Sequence, residues 1–371
     1  MGRLFACVLL VAACGDNLVS DPSLKANGFD NPNAITSGTT AVRLGPAVCS
    51  AASWSVTPTA KAVELAVASA HGVTSIFTIP DGGGQLYGFT LDDRMVVTSD
   101  PSSKLDVADS FTTVSAAVLD GQLVTSGVAG DTAYVDLFAQ GINGAPKRVG
   151  KVVATTLAQS SFLQLVNSTM LVTGGSDGVS LTQVGTSFEL GATMLVGASK
   201  PVTSLSTTQY GQTILATWTT ADHECYVEHV AGFIPGNATH SMVDCEHARI
   251  ASNINNDEAR IVFDGAGGLR LMHVSHMQIG GDSVPLRPLA TSSRIVFDGL
   301  HYWVSYIDVR GQIVVGFLDA QSHLVSMAID GPAPIGESYE LSVIDGRVWV
   351  ISQDMQSGYS ATQMCLAPEV D

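Results

Sequence analysis

The chain has 371 residues, of which 46% are hydrophobic and 14% charged, and its net charge is -17. This length and apolar content suffice for a large buried core, whereas the acidic balance argues against binding to nucleic acid or to anionic lipid headgroups. Beyond the N-terminus, no apolar run approaches the roughly 20 residues that a membrane-spanning helix requires. We therefore expect a large folded domain.

The first thirteen residues have the pattern of a signal peptide. Arg3 supplies a positive charge, and residues 4–11 form an apolar run that is too short to span a bilayer. The motif VAAC at residues 11–14 follows this run and resembles the lipobox of bacterial lipoproteins. The resemblance implies cleavage after residue 13 and attachment of acyl chains such as palmitate at Cys14. An ordinary secretory signal cleaved at the same bond is the alternative.

Lipidation of Cys14 would anchor the protein in the cell envelope, outside the cytoplasm, because several acyl chains together bind a bilayer stably. We favour the outer membrane over the inner one. Residues 14–40 are rich in Asn, Asp, Ser, Gly and Pro, a composition that buries too little surface to fold. We therefore predict a signal peptide at 1–13, a flexible tether at 14–40 and a folded domain at 41–371.

Four cysteines remain besides the one in the signal peptide and Cys14, an even number that suits disulfides in an oxidising compartment. They are Cys49, Cys225, Cys245 and Cys365. Four cysteines allow three pairings. We predict Cys225–Cys245 because these residues are close in sequence, and Cys49–Cys365 because this bond would join the two ends of the folded domain.

Nearly every segment after residue 50 alternates in the manner of a β-strand and ends in a Gly, Asn or Asp turn. Residues 59–70 could also form a helix, but the turn that follows favours a strand. Pairs of strands around a tight turn recur about every 46 residues, a period typical of repeat folds. The turns fall at Gly72, Gly121, Asn167, Gly211, Asn256, Gly299 and Gly346. In the fifth unit Asp264-Gly265 is equally turn-like, and Asn256 is chosen because it keeps the spacing.

Units of this length with about four strands each resemble the blades of β-propellers. The likeness is to propellers in general, since the units contain neither the WD nor the kelch motif. We predict an all-β propeller of seven four-stranded blades. The last unit has three strands, and residues 41–50 would supply its fourth, so that N- and C-terminal strands close the ring and place Cys49 beside Cys365. Six or eight blades, or a tandem of β-sandwiches, remain alternatives.

One polar cluster stands out in the fourth unit, where histidines and carboxylates between residues 223 and 247 could ligate zinc or another divalent cation. Its histidines are His223, His229, His240 and His247. Their spacing fits no standard structural zinc site, so we favour solvated histidines in a polar insertion and predict no metal. The four tryptophans sit at blade-like positions, which indicates core between blades: Trp54, Trp218, Trp303 and Trp349.

The chain contains no GxSxG, HExxH or phosphate-binding glycine motif, so we predict neither a catalytic residue nor a cofactor. The favoured function is a membrane-anchored scaffold that binds a protein, peptide or glycan partner and no nucleic acid. A carbohydrate-active hydrolase or lyase is one alternative, and a metal-dependent activity at the fourth-unit histidines is another. Acidic side chains gathered at one end of the propeller channel would favour the carbohydrate-active enzyme.

Overall fold

The computed structural model describes residues 44–368, with gaps at 55–61, 81–82, 100–103, 106–109, 120, 139–146, 154–156, 165–168, 186–188, 197–199, 231–238, 241–243, 276–277, 280–282, 332, 335–337 and 355–357. The signal peptide, Cys14 and the tether predicted from the sequence lie outside the described residues. Within the described ranges, no helix has the length and apolar character to cross a bilayer.

The described residues form seven antiparallel sheets, which are the seven blades of a β-propeller. The first three blades comprise β2 (Ala62–Ala70), β3 (Val73–Pro80) and β4 (Tyr87–Leu91); β5 (Thr113–Leu119), β6 (Gln122–Ala129), β7 (Thr132–Phe138) and β8 (Lys147–Val153); and β9 (Leu157–Gln164), β10 (Thr169–Gly175), β11 (Gly178–Val184) and β12 (Leu190–Val196).

The fourth and fifth blades comprise β13 (Val202–Tyr210), β14 (Thr213–Thr220), β15 (Cys225–Val230) and β16 (Thr239–His240); and β17 (His247–Asn253), β18 (Glu258–Asp264), β19 (Leu269–Ser275), β20 (Gln278–Ile279) and β21 (Val284–Arg287). The last two comprise β22 (Thr291–Phe297), β23 (Tyr302–Ile307), β24 (Ile313–Leu318) and β25 (Leu324–Ala328); and β26 (Tyr339–Ile344), β27 (Arg347–Asp354), β28 (Gly358–Pro368) and β1 (Leu44–Trp54).

Blade seven closes the ring as the sequence predicts, because the N-terminal strand β1 pairs with the C-terminal strand β28 in the order β1-β28-β27-β26. The Cys49–Cys365 disulfide joins these two strands, and the Cys225–Cys245 disulfide is also present. Both predicted pairings are therefore confirmed.

In the part of the chain that the structure describes, blade one departs from the four-stranded pattern, since its sheet contains β2, β3 and β4 alone. In the described residues beyond β4, two isolated bridges stand in place of a continuous outer strand, one between Tyr87 and Lys104 and, nearer the end of β4, one between Leu91 and Val97. Asp92 holds the turn before this bridge by accepting the backbone N–H groups of Arg94 at 2.9 Å and Val96 at 2.8 Å.

The predicted turns lie between the first and second strands of their blades. Gly72, Gly211 and Gly346 have positive φ angles of 74°, 58° and 72°, which explains the preference for glycine at these positions. In the fifth blade the turn is at residues 254–257, as the choice of Asn256 requires, and Gly265 follows the second strand instead. Asn167 falls outside the described residues. Residues 62–70 form a strand, so the helical alternative is wrong.

Each blade packs against the next through its own hydrophobic cluster, so that the described residues contain seven clusters, one for each interface. Trp218 lies between blades three and four, Trp303 between six and seven, and Trp349 between seven and one, all of them buried. Trp54 packs at the edge of the last interface, against Phe89. The predicted role of the tryptophans as core between blades is confirmed.

The first strands of the seven blades line the central channel: β2, β5, β9, β13, β17, β22 and β26. Each of them contacts the first strand of the next blade, which closes the ring around the channel. Because neighbouring strands are antiparallel, the starts of these inner strands share one face of the propeller with the turns between second and third strands. We call this the mouth face. The opposite face carries the turns between first and second strands, and we call it the hairpin face.

Candidate functional site

A cavity of about 430 Å³ lies in the channel, within the size range of small-ligand sites. Half of its polar lining residues are serines and threonines, whose hydroxyl groups can donate and accept hydrogen bonds. The hydroxyl residues are Ser115, Thr203, Ser204, Ser206, Thr207 and Ser342. Among its charged residues are two arginines and two glutamates, in a chain that has few basic residues overall.

The two arginines and two glutamates form a compact group that we call the channel cluster: Glu64, Arg249, Arg294 and Glu340. Each residue comes from a different inner strand, in the spatial order β17, β22, β26 and β2 around the channel. The arginines therefore occupy two neighbouring strands and the glutamates the next two. Guanidinium groups therefore line one side of the channel, and carboxyl groups line the other.

Strand register places the whole cluster towards the mouth face. Glu64 pairs with Ile79, and Arg249 pairs with Val262, in the second half of the adjoining strand in both cases. Arg294 and Glu340 pair with residues in the second halves of β23 and β27. Since the second strand runs towards the mouth face, all four residues lie in that part of the channel.

Arg249 is positioned by its own blade and by the preceding one. Its Nη1 atom donates to the Ser204 Oγ atom of blade four and, at 3.1 Å, to the carbonyl oxygen of Ala248. The guanidinium group is thus fixed where blades four and five meet, with its charge facing the channel.

Arg294 is positioned at the interface between blades six and seven. Its guanidinium group lies over the Tyr339 ring at 5.2 Å, and its Nε atom is 3.5 Å from Glu340 Oε2. Its Nη1 atom also donates to the carbonyl oxygen of Ser293 at 3.1 Å. Tyr339 is itself fixed, because its buried hydroxyl donates to the carbonyl oxygen of Ser292. A ring stacked beneath a guanidinium group holds that group in one orientation.

The surroundings of the two carboxyl groups favour their neutral forms. Burial raises the pKa of Glu64 to about 7, although the N–H of Val114, the charge of Arg249 and that of Arg294 oppose the shift. Burial likewise raises the pKa of Glu340, against the charges of Arg294 and Arg249. The Val114 N–H donates to Glu64 Oε2 at 3.0 Å. The Glu340 side chain is 31% exposed, so water in the channel still reaches it.

His247 lies at the start of β17 and also lines the cavity. Its Nδ1 atom is 3.2 Å from Asp264 Oδ1, and the other oxygen of this buried carboxyl accepts the N–H of Ser293 at 3.2 Å. Asp264 therefore joins the second strand of blade five to the inner strand of blade six. It does more than the turn formation that its Asp-Gly sequence indicates.

The fourth-unit histidines do not form a common site in the described residues. His223 is exposed in the turn before β15, where its carbonyl oxygen accepts the N–H of Cys245. The Nε2 atom of His229 is hydrogen-bonded to the Thr213 hydroxyl, and burial lowers the pKa of this imidazole. His240 lies in β16, and its side chain is outside the described part. His247 faces the channel. In the described ranges, no group of three or more His, Cys, Asp or Glu residues is arranged to hold a metal ion.

The Cys225–Cys245 disulfide instead organises the mouth face. It joins the start of β15 to the segment that leads into β17, two elements that meet on this face. Beside it, Lys200 forms ion pairs with Asp222, at 3.5 Å, and with Glu224. The disulfide and the ion pairs together hold the polar rim next to the channel.

The channel cluster was not predicted from the sequence. One signal was available, because each member is a charged residue within the first strand of its unit, in a chain with only 14% charged residues. Charged side chains in strands that form the centre of a closed fold need a partner or water. Aligning the seven units on their turns would have brought these four residues to one part of the channel.

Comparison with known proteins supports the fold. No protein-family model matches the chain, and no curated protein matches it in sequence. Among solved structures, the WD40 domain of coronin from Toxoplasma gondii aligns with a TM-score of 0.59 and 11% identity, over 88% of this chain and 87% of that one. BBS1N, crystallised in complex with ARL6DN, aligns with a TM-score of 0.57 and 10% identity, over 88% and 98% of the two chains. At such identities the likeness shows the propeller fold alone.

Proposed function

We propose that the protein is a lipid-anchored propeller of the bacterial cell envelope that binds a protein or peptide partner at its mouth face. The observation that carries this proposal is the channel cluster, which brings two arginines and two glutamates to one part of a cavity of about 430 Å³. Polar groups concentrated in a concave site are typical of ligand recognition. BBS1N, a structurally similar propeller, was crystallised in complex with ARL6DN.

The mouth face also offers apolar anchors around the channel. Leu289 precedes β22, and Val309 lies in the turn between β23 and β24, and both side chains are exposed. The ion pairs of Lys200 add a polar rim. Exposed apolar residues within a polar surround are the usual composition of a transient protein interface.

The anchor is proposed from the lipobox at residues 11–14. Acylation of Cys14 and the tether at 14–40 would hold the propeller close to a membrane while leaving it free to meet partners. The intact mass of the full-length protein, extracted from bacterial membranes, tests this directly. We expect a mass that corresponds to an acylated Cys14, and we expect Cys14→Ala protein to leave the membrane fraction. Unacylated wild-type protein would refute the anchor.

Partner binding can be tested by comparing two variants of the full-length protein in capture experiments from envelope extracts. We expect the double variant Arg249→Gln/Arg294→Gln to lose partners that the wild-type protein retains. The matched control is Arg94→Gln, which removes a positive charge from an exposed turn outside the channel. Equal recovery of the same partners by all three proteins would show that the mouth face is not the binding surface.

A carbohydrate-active enzyme is a second candidate, because the structure brings two carboxyl groups to one end of the channel. Glycoside hydrolysis needs one protonated and one ionised carboxyl group. Glu64, with a pKa raised to about 7, suits the acid. Glu340 is the second carboxyl group, and the charges of Arg294 and Arg249 favour its ionised form against the effect of burial. Release of reducing sugar from envelope polysaccharides by the wild-type protein, and its loss in Glu64→Gln, would establish this activity. No release by the wild-type protein would remove the candidate.

A further inference from the structure

We infer that the channel cluster binds a zwitterionic ligand, a free amino acid or a short peptide with both ends charged, whose carboxylate contacts Arg249 and Arg294 and whose ammonium group contacts Glu64 and Glu340. The inference rests on the proposed binding function and specifies the chemistry that its site would recognise.

The order of charges around the channel carries the inference. Arg249 and Arg294 stand on adjacent inner strands, and Glu340 and Glu64 follow on the next two. A purely anionic ligand that fills the cavity would meet the glutamates, and a purely cationic one would meet the arginines. Only a ligand with separated opposite charges is attracted on both sides.

The arginine side suits a carboxylate in geometry as well as in charge. Guanidinium groups bind carboxylates through two parallel hydrogen bonds, and this requires a fixed orientation. The Tyr339 ring and the carbonyl oxygen of Ser293 orient Arg294, while Ser204 and the carbonyl oxygen of Ala248 orient Arg249. Both groups are therefore held in place before a ligand arrives, which lowers the entropy cost of binding.

The glutamate side suits an ammonium group. Glu64 accepts one N–H bond, from Val114, which leaves acceptor capacity on a carboxyl group that can take four hydrogen bonds. An arriving ammonium ion would favour the ionised form of Glu64, because an opposite charge lowers the pKa of a buried carboxyl group. Binding should thus release a proton when the pH lies below the pKa of the free site.

The space between the two sides suits a peptide backbone. Ser204, Ser206 and Ser342 line the cavity with hydroxyl groups that can both donate and accept, as amide groups require. A volume of about 430 Å³ exceeds the needs of a single small amino acid and lies in the usual range of ligand sites.

The inference can be tested by isothermal titration calorimetry of the full-length protein, extracted in detergent, with three peptides whose side chains are uncharged. Trialanine carries both charged ends, N-acetyl-trialanine lacks the ammonium group, and trialanine amide lacks the carboxylate. We expect trialanine to bind at least about tenfold more tightly than either derivative, since each loses one charged contact. Equal affinities for the three peptides, or binding of none of them, would overturn the inference.

Two variants assign the two ends of the ligand. Arg249→Gln should lower the affinity for trialanine until it equals the affinity for trialanine amide. The variant should still bind trialanine more tightly than N-acetyl-trialanine. Glu64→Gln should lower the affinity for trialanine until it equals the affinity for N-acetyl-trialanine, while trialanine still binds more tightly than trialanine amide. Arg310→Gln is the matched control, because this exposed residue pairs with Asp308 on the same face but outside the cavity, and it should bind trialanine like the wild-type protein. Thermal unfolding of each variant shows whether it is folded, and folded variants with unchanged preferences would also overturn the inference.

The same variants separate this inference from the proposed function. If trialanine does not bind but Arg249→Gln/Arg294→Gln still loses the captured partner, the zwitterion inference is wrong and the mouth-face function stands. If the peptides bind with the expected preferences but partner capture is unaffected by the double variant, the proposed partner binding is wrong.

Discussion

Cys49 and Cys365 are 316 residues apart in sequence, yet their Cα atoms lie 5.9 Å apart on the neighbouring strands β1 and β28. This separation is within the usual range for disulfides. A second contact accompanies the bond, because the Ser50 hydroxyl donates to Gln363 Oε1 at 3.0 Å. The ring is therefore closed both by strand pairing and by a covalent link.

Removing this closure should destabilise the protein more than removing the other disulfide. From the entropy of loop closure, a loop of 316 residues corresponds to about 6 kcal/mol and one of 20 residues to about 3 kcal/mol. We expect Cys49→Ser/Cys365→Ser to show the larger loss in free energy of unfolding, measured by denaturant titration. Cys225→Ser/Cys245→Ser is the matched comparison, and an equal or larger loss for it would contradict the argument.

Tyr302 connects blades five and six near the hairpin face. Its hydroxyl accepts the N–H of Asn253 at 2.9 Å and donates to the carbonyl oxygen of Glu258 at 3.1 Å. Tyr302→Phe would leave both backbone groups without this partner, and we expect a loss of about 1–3 kcal/mol in unfolding free energy. Tyr306→Phe, a buried tyrosine on the same strand, is the control and should cost less. A larger loss of stability in Tyr306→Phe would show that the two hydrogen bonds of Tyr302 do not make the contribution expected of them.

Asp298 organises the turn between β22 and β23. Its Oδ1 atom accepts the N–H groups of Leu300 and His301, both at 2.7 Å, and its Oδ2 atom accepts the indole N–H of Trp303 at 2.7 Å. Asp298→Ala removes all three bonds, including that of a buried tryptophan. We expect destabilisation of about 2–3 kcal/mol and a change in tryptophan fluorescence. A variant as stable as the wild-type protein would mean that water replaces the carboxylate.

Glu64 should make stability depend on pH. Because folding raises its pKa from 4.5 to about 7, the folded protein binds more protons than the unfolded one between these values. The free energy of unfolding should therefore fall as the pH rises through this window. We expect the free energy of unfolding of Glu64→Gln to depend less on pH in this window. Part of the remaining pH dependence should come from Glu340, whose pKa is also raised. Identical pH profiles for the two proteins, obtained from denaturant titrations, would show that the carboxyl group is not desolvated.

The propeller could be predicted from the sequence because its determinants are local. Each turn, such as His71-Gly72, is encoded by its own few residues, and the repeat period reveals how many such units the chain contains. The Cys49–Cys365 pairing followed from closure of the ring. These features need no knowledge of how one blade is positioned against another.

The channel cluster could not be predicted, since it depends on register between blades. Arg249 and Glu64 are far apart in sequence and approach one another only because seven inner strands surround one axis. The role of Asp264 could not be predicted for the same reason. Its Asp-Gly sequence indicates a turn, and the sequence does not reveal the contact with Ser293 on the next blade. The outer edge of blade one, where two isolated bridges replace a strand in the described residues, also has no clear sequence signal.

Photo-cross-linking in intact bacterial cells tests most directly whether the mouth face binds the partner. A photoreactive phenylalanine would replace one exposed apolar residue at a time, either Leu289 or Val309 on the mouth face, or Ile254 or Leu300 on the hairpin face. We predict that a partner is cross-linked from the two mouth-face positions only, and that Arg249→Gln/Arg294→Gln abolishes the product. Cross-linking of the partner from the hairpin face, with none from the mouth face, would contradict the proposed function.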